Sequence, residues 1–323
     1  MSQPSLRNSC LAWPRAIAEA RSLIANTLAI DVGGTKIAAG MVGSDGSVSS
    51  RAEILTRAGD GSERVLERTV QLADRVAKEA DTPAQMVSLA IAELVDIEGR
   101  IGSSQTLRWE ADDVHASLSH IAPVMITSDV VAGGFAEVRL GPGAGRTPVL
   151  YVSVGTGISS AIYVAGELLK GHHGYANLLA SGPIAIPSDS GELLEAVPEQ
   201  IASGAAICRR FNELAGTETE GAEDVFGFAN AGDERAERVI RDAALMLATV
   251  IGFAINLIDP EVVVVGGGLR LALGCENDLF RDRLADVIWI EEVKSTPVLP
   301  ASFGSDSALI GAGLAAICSV RAI

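Results

Sequence analysis

Three glycine turns and one aspartate carry the residues of this chain that could act on a phosphate group. In LAIDVGGTKIAAGMV, residues 28–42, an apolar run Leu28–Ile30 ends in Asp31. A turn follows at Gly33, Gly34, Thr35 and Lys36, and a second apolar run, Ile37–Val42, leads away. Two adjacent bare glycines in a bend let backbone N–H groups approach an anion closely. Thr35 adds a hydroxyl and Lys36 a cation, and an acid such as Asp31 beside an anion-binding turn makes sense if a divalent metal lies between them. The design returns in VLYVSVGTGISSAI, residues 149–162, with the turn Gly155, Thr156 and Gly157. A third apolar run, in EVVVVGGGL (261–269), enters Gly266, Gly267 and Gly268. Taken singly, each turn is also compatible with an ordinary glycine hairpin, and Lys36 with a surface lysine. Asp129 follows a short apolar run and opens a helical pattern, a favoured place for an N-cap.

Such turns need strands to present them. An antiparallel meander is predicted from Leu28 to about Arg51, turning at Ser44-Asp45-Gly46. Ser62–Ala80 reads as an amphipathic helix, with Leu66, Val70, Ala73 and Ala77 at helical spacing. A buried strand Val87–Ala92, a helix Asp112–His120, a strand Val124–Thr127 and a helix Val130–Leu140 follow. Gly141-Pro142-Gly143 then marks a domain junction. The second half opens with the Val149 strand and hairpins to about Gly171, then a loop-rich stretch to Gly191. Helices are predicted at Glu199–Leu214, Ala222–Asn230 and Asp233–Leu257, a strand at Glu261–Val265 and a helix at Glu276–Ile288. Val293–Leu299 reads as an edge strand because of Pro297, and Ala308–Val320 as a terminal helix. The order of hairpin followed by α/β units occurs in both halves, which points to a duplicated α/β architecture.

Composition narrows the classes. With 323 residues, 48% hydrophobic and 20% charged, the chain can build one large or two medium cores. A formal net charge of −16 disfavours nucleic acid and anionic membrane surfaces as partners. Cys10, Cys208, Cys275 and Cys318 lack CxxC or CxC spacing, which suits a reducing cytoplasm and argues against a zinc cluster. The apolar stretch Ala243–Ile258 contains Asn256 and precedes Asp259-Pro260, so a buried helix is expected there and no membrane span. Pro14, Arg15 and Glu19 interrupt the early apolar patch, against a secretory signal. Residues 1–26 read as an extension with a helix at Ala16–Ala25.

Three ordered motifs of this kind resemble the sugar kinase/heat-shock/actin ATPase fold, and within it the ROK family of bacterial sugar kinases and repressors, from about residue 27 to the end. DVGGTK and VGTG stand where that family has phosphate turns. NLIDPEVVVVGGGL (256–269) resembles its adenosine stretch, SDVVAGGFAE (128–137) its Asn-Asp segment, and SALIGAGLAAI (307–317) its terminal helix. The resemblance implies two α/β domains, 27–138 and 139–305, closing on ATP, with a terminal helix 306–321 packing back on the first. It implies Asp129 as general base toward a sugar hydroxyl. ATP would be held by Gly33, Gly34, Thr35, Lys36, Gly155, Thr156, Gly157 and Gly266–Gly268, and Mg2+ by Asp31 through water. It further implies a homodimer or higher homo-oligomer.

The departures concern the acceptor. Ser128 stands for the family's Asn. Leu178 and Ser181 stand where Glu and His grip the sugar, and IPSDSGELLEAVPEQ (186–200) replaces the zinc motif, so no zinc site is expected. EQIASGAA (199–206) keeps the family's Glu-x-x-x-Ser-Gly, leaving Glu199 as a sugar-hydroxyl ligand. Glu93, in place of a Gly-Pro pair, either faces substrate or is a surface acid. His172 and His173 either supply replacement donors, His173 foremost, or are merely exposed. A hexose missing those partners would lose ~1–3 kcal/mol per unsatisfied buried group. The expected activity is therefore ATP-dependent phosphorylation of a hexose, modified sugar or cyclitol. The alternative is a sugar-binding or regulatory relative without kinase activity. A repressor is disfavoured by the short N-terminal extension and the acidity.

Overall fold

The computed structural model describes residues 26–104, 106–187 and 192–321; the helix expected at Ala16–Ala25 lies outside them. β1 (Asn26–Val32), β2 (Lys36–Gly43) and β3 (Val48–Leu55) form the expected meander. β1 and β2 are buried almost throughout, whereas β3 exposes every second residue, as an edge strand with one solvated face does. α1 (Ser62–Glu79) lays Val65, Leu72 and Val76 against this sheet. β4 (Met86–Ile91), a nearly continuous buried apolar strand, runs parallel to β1. α2 (Ala111–Leu118), β5 (Val124–Ser128) and α3 (Asp129–Leu140) complete the first lobe.

The second lobe repeats the plan. β6 (Val149–Val154), β7 (Ile158–Val164) and β8 (Glu167–Leu168) form a meander, and β11 (Val262–Gly266) and β12 (Val298–Pro300) add in parallel. The sheet orders are β3-β2-β1-β4-β5 and β8-β7-β6-β11-β12, the same topology twice. The recurrence of hairpin and α/β units in the sequence thus reflects two copies of one sheet plan. Between β8 and β11 lie a two-stranded ribbon, β9 (Ile184–Pro187) and β10 (Leu193–Ala196), and four helices. These are α4 (Glu199–Ala202), α5 (Gly204–Ala215), α6 (Ala222–Asn230) and α7 (Glu234–Ile258). α7 is long and apolar enough to cross a membrane by length and composition. Its buried stripe, including Leu247, Ile251 and Ile255, packs instead with Val263 and Val265 in the second lobe's core. α8 (Asp278–Val287) and α9 (Ser307–Arg321) close the chain.

Three segments differ from expectation. The helix predicted over 199–214 breaks at Ser203, whose extended backbone and side chain cap α5 through the Ala206 N–H. The stretch to Gly191 contains β9, which pairs with β10 just beyond it. The last strand is only Val298–Pro300, at the sheet edge as Pro297 requires, with a helical turn at Glu292–Ser295 before it.

α9 returns to the first lobe, where Gly311 sits so close to the backbone of Ala132 in α3, and Gly313 to Val42 in β2, that any Cβ would collide. α3 also rests on the second sheet. Gly133 and Gly134 face Tyr151 and Tyr163, and the Tyr163 hydroxyl donates to the Val131 carbonyl. A boundary between 138 and 139 would therefore divide a helix that packs on both lobes.

Candidate active site

Register brings the chemistry to one edge. Val32 pairs with Ile91 and Ile91 with Ser128, so Gly33, Ala92 and Asp129 leave the sheet side by side at the carboxyl ends of parallel strands. Open α/β sheets bind ligands at that edge. In the second sheet Gly266 pairs with Ser153, which sets the third glycine turn next to the second. Between the lobes lies a cleft of about 530 Å³, lined by Gly33 and Gly34 from one side, Gly155, Thr156 and Gly157 from the other, and Asp129.

The first turn is fastened from behind. Gly33 N–H donates to the Lys36 carbonyl at 3.0 Å, Thr56 N–H to the Thr35 carbonyl at 2.8 Å, and Thr56 Oγ1 to the Gly33 carbonyl at 2.7 Å. Thr56 is fully buried and was not singled out in the sequence, since nothing there shows that it folds back onto the turn. A Cβ at Gly34, Gly155 or Gly268 would meet nothing within 4 Å, and none of the three has a positive φ. Neither packing nor backbone strain calls for glycine at these places, where the bare backbone stays open to close approach. Among the described residues the N–H groups of Gly34, Thr35, Thr156 and Gly157 have no hydrogen-bond partner.

The second turn closes on itself through Gly155 N–H to the Gly157 carbonyl, 2.9 Å, and is braced by the α4–α5 break. Gly204 N–H donates to the Gly155 carbonyl at 2.8 Å and Ala205 N–H to the Thr156 carbonyl at 3.2 Å. Glu199 Oε1 accepts the Ile158 N–H at 2.8 Å. Gly267, at φ +82°, sits against the Val154 carbonyl where no side chain fits, and Leu269 N–H donates to that same oxygen at 3.0 Å. The Gly266–Gly268 turn thus adjoins the second turn from outside the cleft lining.

Two aspartates stand at this edge, Asp129 in the cleft lining and Asp31 outside it, near the end of β1. Asp31 is half-buried at the end of β1, and burial, with the negative charges of Asp129 and Asp306, pushes its carboxyl up to about 8. Burial pushes Asp129 up to about 6, against the lowering effect of its bonds from Val130 N–H (2.6 Å) and Ser128 Oγ (3.4 Å) and with a further rise from Glu93. Among the described residues neither carboxylate pairs with a Lys, Arg or His. Asp129 is the first residue inside α3 and Ser128 holds the cap position, so the N-cap reading of Asp129 does not hold.

The remaining residues divide. Glu199, Ser128 and Glu93 line the cleft, as do Leu178 and Ser181. Glu93 is buried and engaged rather than a surface acid: it accepts from Thr106 N–H at 2.5 Å, Leu107 N–H at 2.7 Å and the Ser103 hydroxyl. Lys36 pairs with Glu53 at 2.7 Å, and neither Lys36 nor Thr35 belongs to the cleft lining. The cause is register: Lys36 lies opposite Leu55, so Glu53 is its diagonal neighbour on the same face. His172 and His173 are exposed, ring to ring at 4.5 Å, outside the lining. At that end of the cleft the lobes touch. Gly174, at φ +89°, lies against the backbone of Asp96 and Ile97, and Tyr175 packs on Gly102.

Free backbone donors at open glycines, together with two carboxylates lacking a cation, fit a phosphate chain with Mg2+. Among the described residues no group of three or more His, Cys, Asp or Glu side chains converges to hold a metal by itself. Two lobes of one topology presenting glycine turns to a shared cleft define the actin-like ATPase fold. The chain belongs to the ROK family, whose model matches residues 27–318. It is 31% identical over 309 residues to the bifunctional enzyme NanE/NanK of Brucella melitensis, an alignment covering 93% of this chain and 55% of that protein. The chain thus spans about half the length of that relative. It is 29% identical to the N-acetylmannosamine kinase of Escherichia fergusonii, covering 90% of this chain and 98% of that one. The ROK hexokinase of Thermus thermophilus superposes with a TM-score of 0.75 at 27% identity, over 92% of this chain and all of that structure.

Proposed function

We propose that this chain is an ATP-dependent kinase that phosphorylates a hydroxyl of a sugar or sugar-like polyol, with Asp129 as general base. The observation that carries the reading is the cleft itself: two glycine turns with free N–H groups face each other across it, and Asp129 lines the same space. Kinases among the relatives support the reaction class. When bound, Mg-ATP supplies the transferable phosphoryl group and neutralises its developing charge. Gly34, Thr156 and Gly157 offer backbone N–H groups to the phosphates. Asp31, near the end of β1 and outside the cleft lining, would hold the cation through water. Asp129 Oδ1 is engaged by Val130 N–H, which leaves Oδ2 to accept the proton of the acceptor hydroxyl. Contact of the lobes at Gly174 and Tyr175 excludes water from the acceptor end, which limits ATP hydrolysis.

The acceptor is a modified sugar or a cyclitol. Leu178 and Ser181 give this wall an apolar surface and one hydroxyl where a Glu and a His would grip an anomeric centre. An ADP-release assay with N-acetylmannosamine, N-acetylglucosamine, glucose and myo-inositol tests both parts. Acceptor-dependent ADP release, with glucose not the best acceptor, is expected. Uptake of ring compounds with no binding of Mg-ATP would instead identify a binding protein.

A further inference from the structure

One carboxylate touches both halves of the proposed reaction. Glu199 opens α4 at the acceptor wall, where its N–H donates to the Ala180 carbonyl at 3.1 Å, one residue from Ser181. Its Oε1 reaches across to the Ile158 N–H at 2.8 Å, the first residue after the second glycine turn. Gly157 leaves the space for this: a Cβ there would lie 2.6 Å from Glu199 Oε1. Five and six residues further on, Gly204 N–H and Ala205 N–H hold the Gly155 and Thr156 carbonyls. Residues 199–205 thus run along the whole of 155–158, and the side chain of Glu199 fixes its far end. Among the described residues Glu199 has no cationic partner to account for a half-buried carboxylate at this position.

Resting on the kinase reading, we infer that Glu199 is a positioning residue for the nucleotide: through Ile158 it sets the phosphate-facing geometry of Thr156 and Gly157, so that the acceptor wall and the second phosphate turn move as one piece. A carboxylate that only received an acceptor hydroxyl would have no effect on nucleotide binding in the absence of acceptor. A carboxylate that holds the turn would have one, because N–H donors held in place beforehand bind an anion better than donors that must be ordered on binding.

The test needs no acceptor. Binding of AMPPNP with Mg2+ is measured by calorimetry, and amide hydrogen exchange is followed at residues 155–158, for the wild type, Glu199→Ala, Glu199→Gln and Glu199→Asp. Glutamine keeps a carbonyl oxygen for Ile158; alanine has none, and aspartate is one bond too short. Glu199→Ala and Glu199→Asp are expected to weaken AMPPNP about tenfold and to speed Ile158 exchange at least tenfold. Glu199→Gln is expected to stay within about twofold of wild type on both. Melting temperatures check that the variants are folded, and Glu199→Asp serves if Glu199→Ala is not. Unchanged AMPPNP affinity in folded Glu199→Ala or Glu199→Asp overturns the inference and leaves the kinase reading standing. So does a Glu199→Gln variant as weak as the alanine. A wild type that binds no AMPPNP overturns the kinase reading itself, and this inference with it.

Discussion

At the scale of single residues, burial raises the pKa of both aspartates to which the proposed reaction gives a role, Asp129 and Asp31. In its proposed role as general base Asp129 must be ionised, and its carboxyl is pushed up to about 6. The rate at limiting acceptor should therefore fall about tenfold per pH unit below about 6, checked by kcat/KM profiles between pH 4.5 and 8. Replacing it by asparagine should lower kcat by about 10²–10⁴ while AMPPNP still binds. Asp31 is pushed up to about 8. An acid whose folded pKa lies above its ordinary 3.8 keeps a proton that the unfolded chain has lost. Its stabilising contribution is present at low pH and is lost as the pH rises toward about 8. Asp31→Asn should therefore raise the melting temperature at pH 8 by several degrees over wild type, with a smaller gain at pH 5, in scanning calorimetry without nucleotide. Lys36 shows where reading residues one at a time runs out. Its place beside the turn suggested a phosphate contact, but its partner Glu53 becomes a neighbour only through the register of β2 with β3.

At the scale of elements, the glycine turns and their flanking strands were readable because local sequence determines them. Apolar runs interrupted by bare glycines have few other ways to fold. The break in the 199–214 helix was not readable, because its cause lies elsewhere in the chain: Gly204 N–H is directed at the Gly155 carbonyl. A Cβ on Gly204 would stand 2.9 Å from that carbonyl oxygen. Gly204→Ala should therefore push the second turn aside and raise KM for ATP more than KM for the acceptor, measured by varying each substrate in turn. The β9–β10 ribbon escaped for a related reason. Leu193 and Leu194 are both exposed, so the segment lacks the one-sided apolar alternation by which a half-buried strand is recognised. The proposed acceptor wall was read from motif order, yet the engagement of Glu93 by the loop at Ser103–Leu107 needed the fold.

At the scale of the whole molecule, among the described residues two chain crossings join the lobes, one after α3 and one between β12 and α9, and the Glu137 side chain ties them together. Glu137, fully buried near the end of α3, accepts from Ser302 N–H at 3.0 Å, Phe303 N–H at 3.2 Å and Ser307 Oγ at 3.2 Å. Replacing Glu137 by alanine leaves three donors without their acceptor, and each unsatisfied buried group costs roughly 1–3 kcal/mol. The loss should appear as a lower denaturant midpoint in urea unfolding. The duplicated sheet plan matters here, because it aims the carboxyl edges of both parallel sets at one gap, where Asp129 comes from one lobe and Gly155–Gly157 from the other.

The most direct measurement is 31P NMR of the protein with Mg-ATP and the acceptor that gives the fastest ADP release, for wild type and Asp129→Asn side by side. The wild type should convert the γ-phosphate signal into a new phosphomonoester resonance, while Asp129→Asn, still binding AMPPNP, leaves it almost unchanged. Equal conversion by the two proteins, or inorganic phosphate as the wild type's sole product, would contradict transfer to an acceptor hydroxyl with Asp129 as its base.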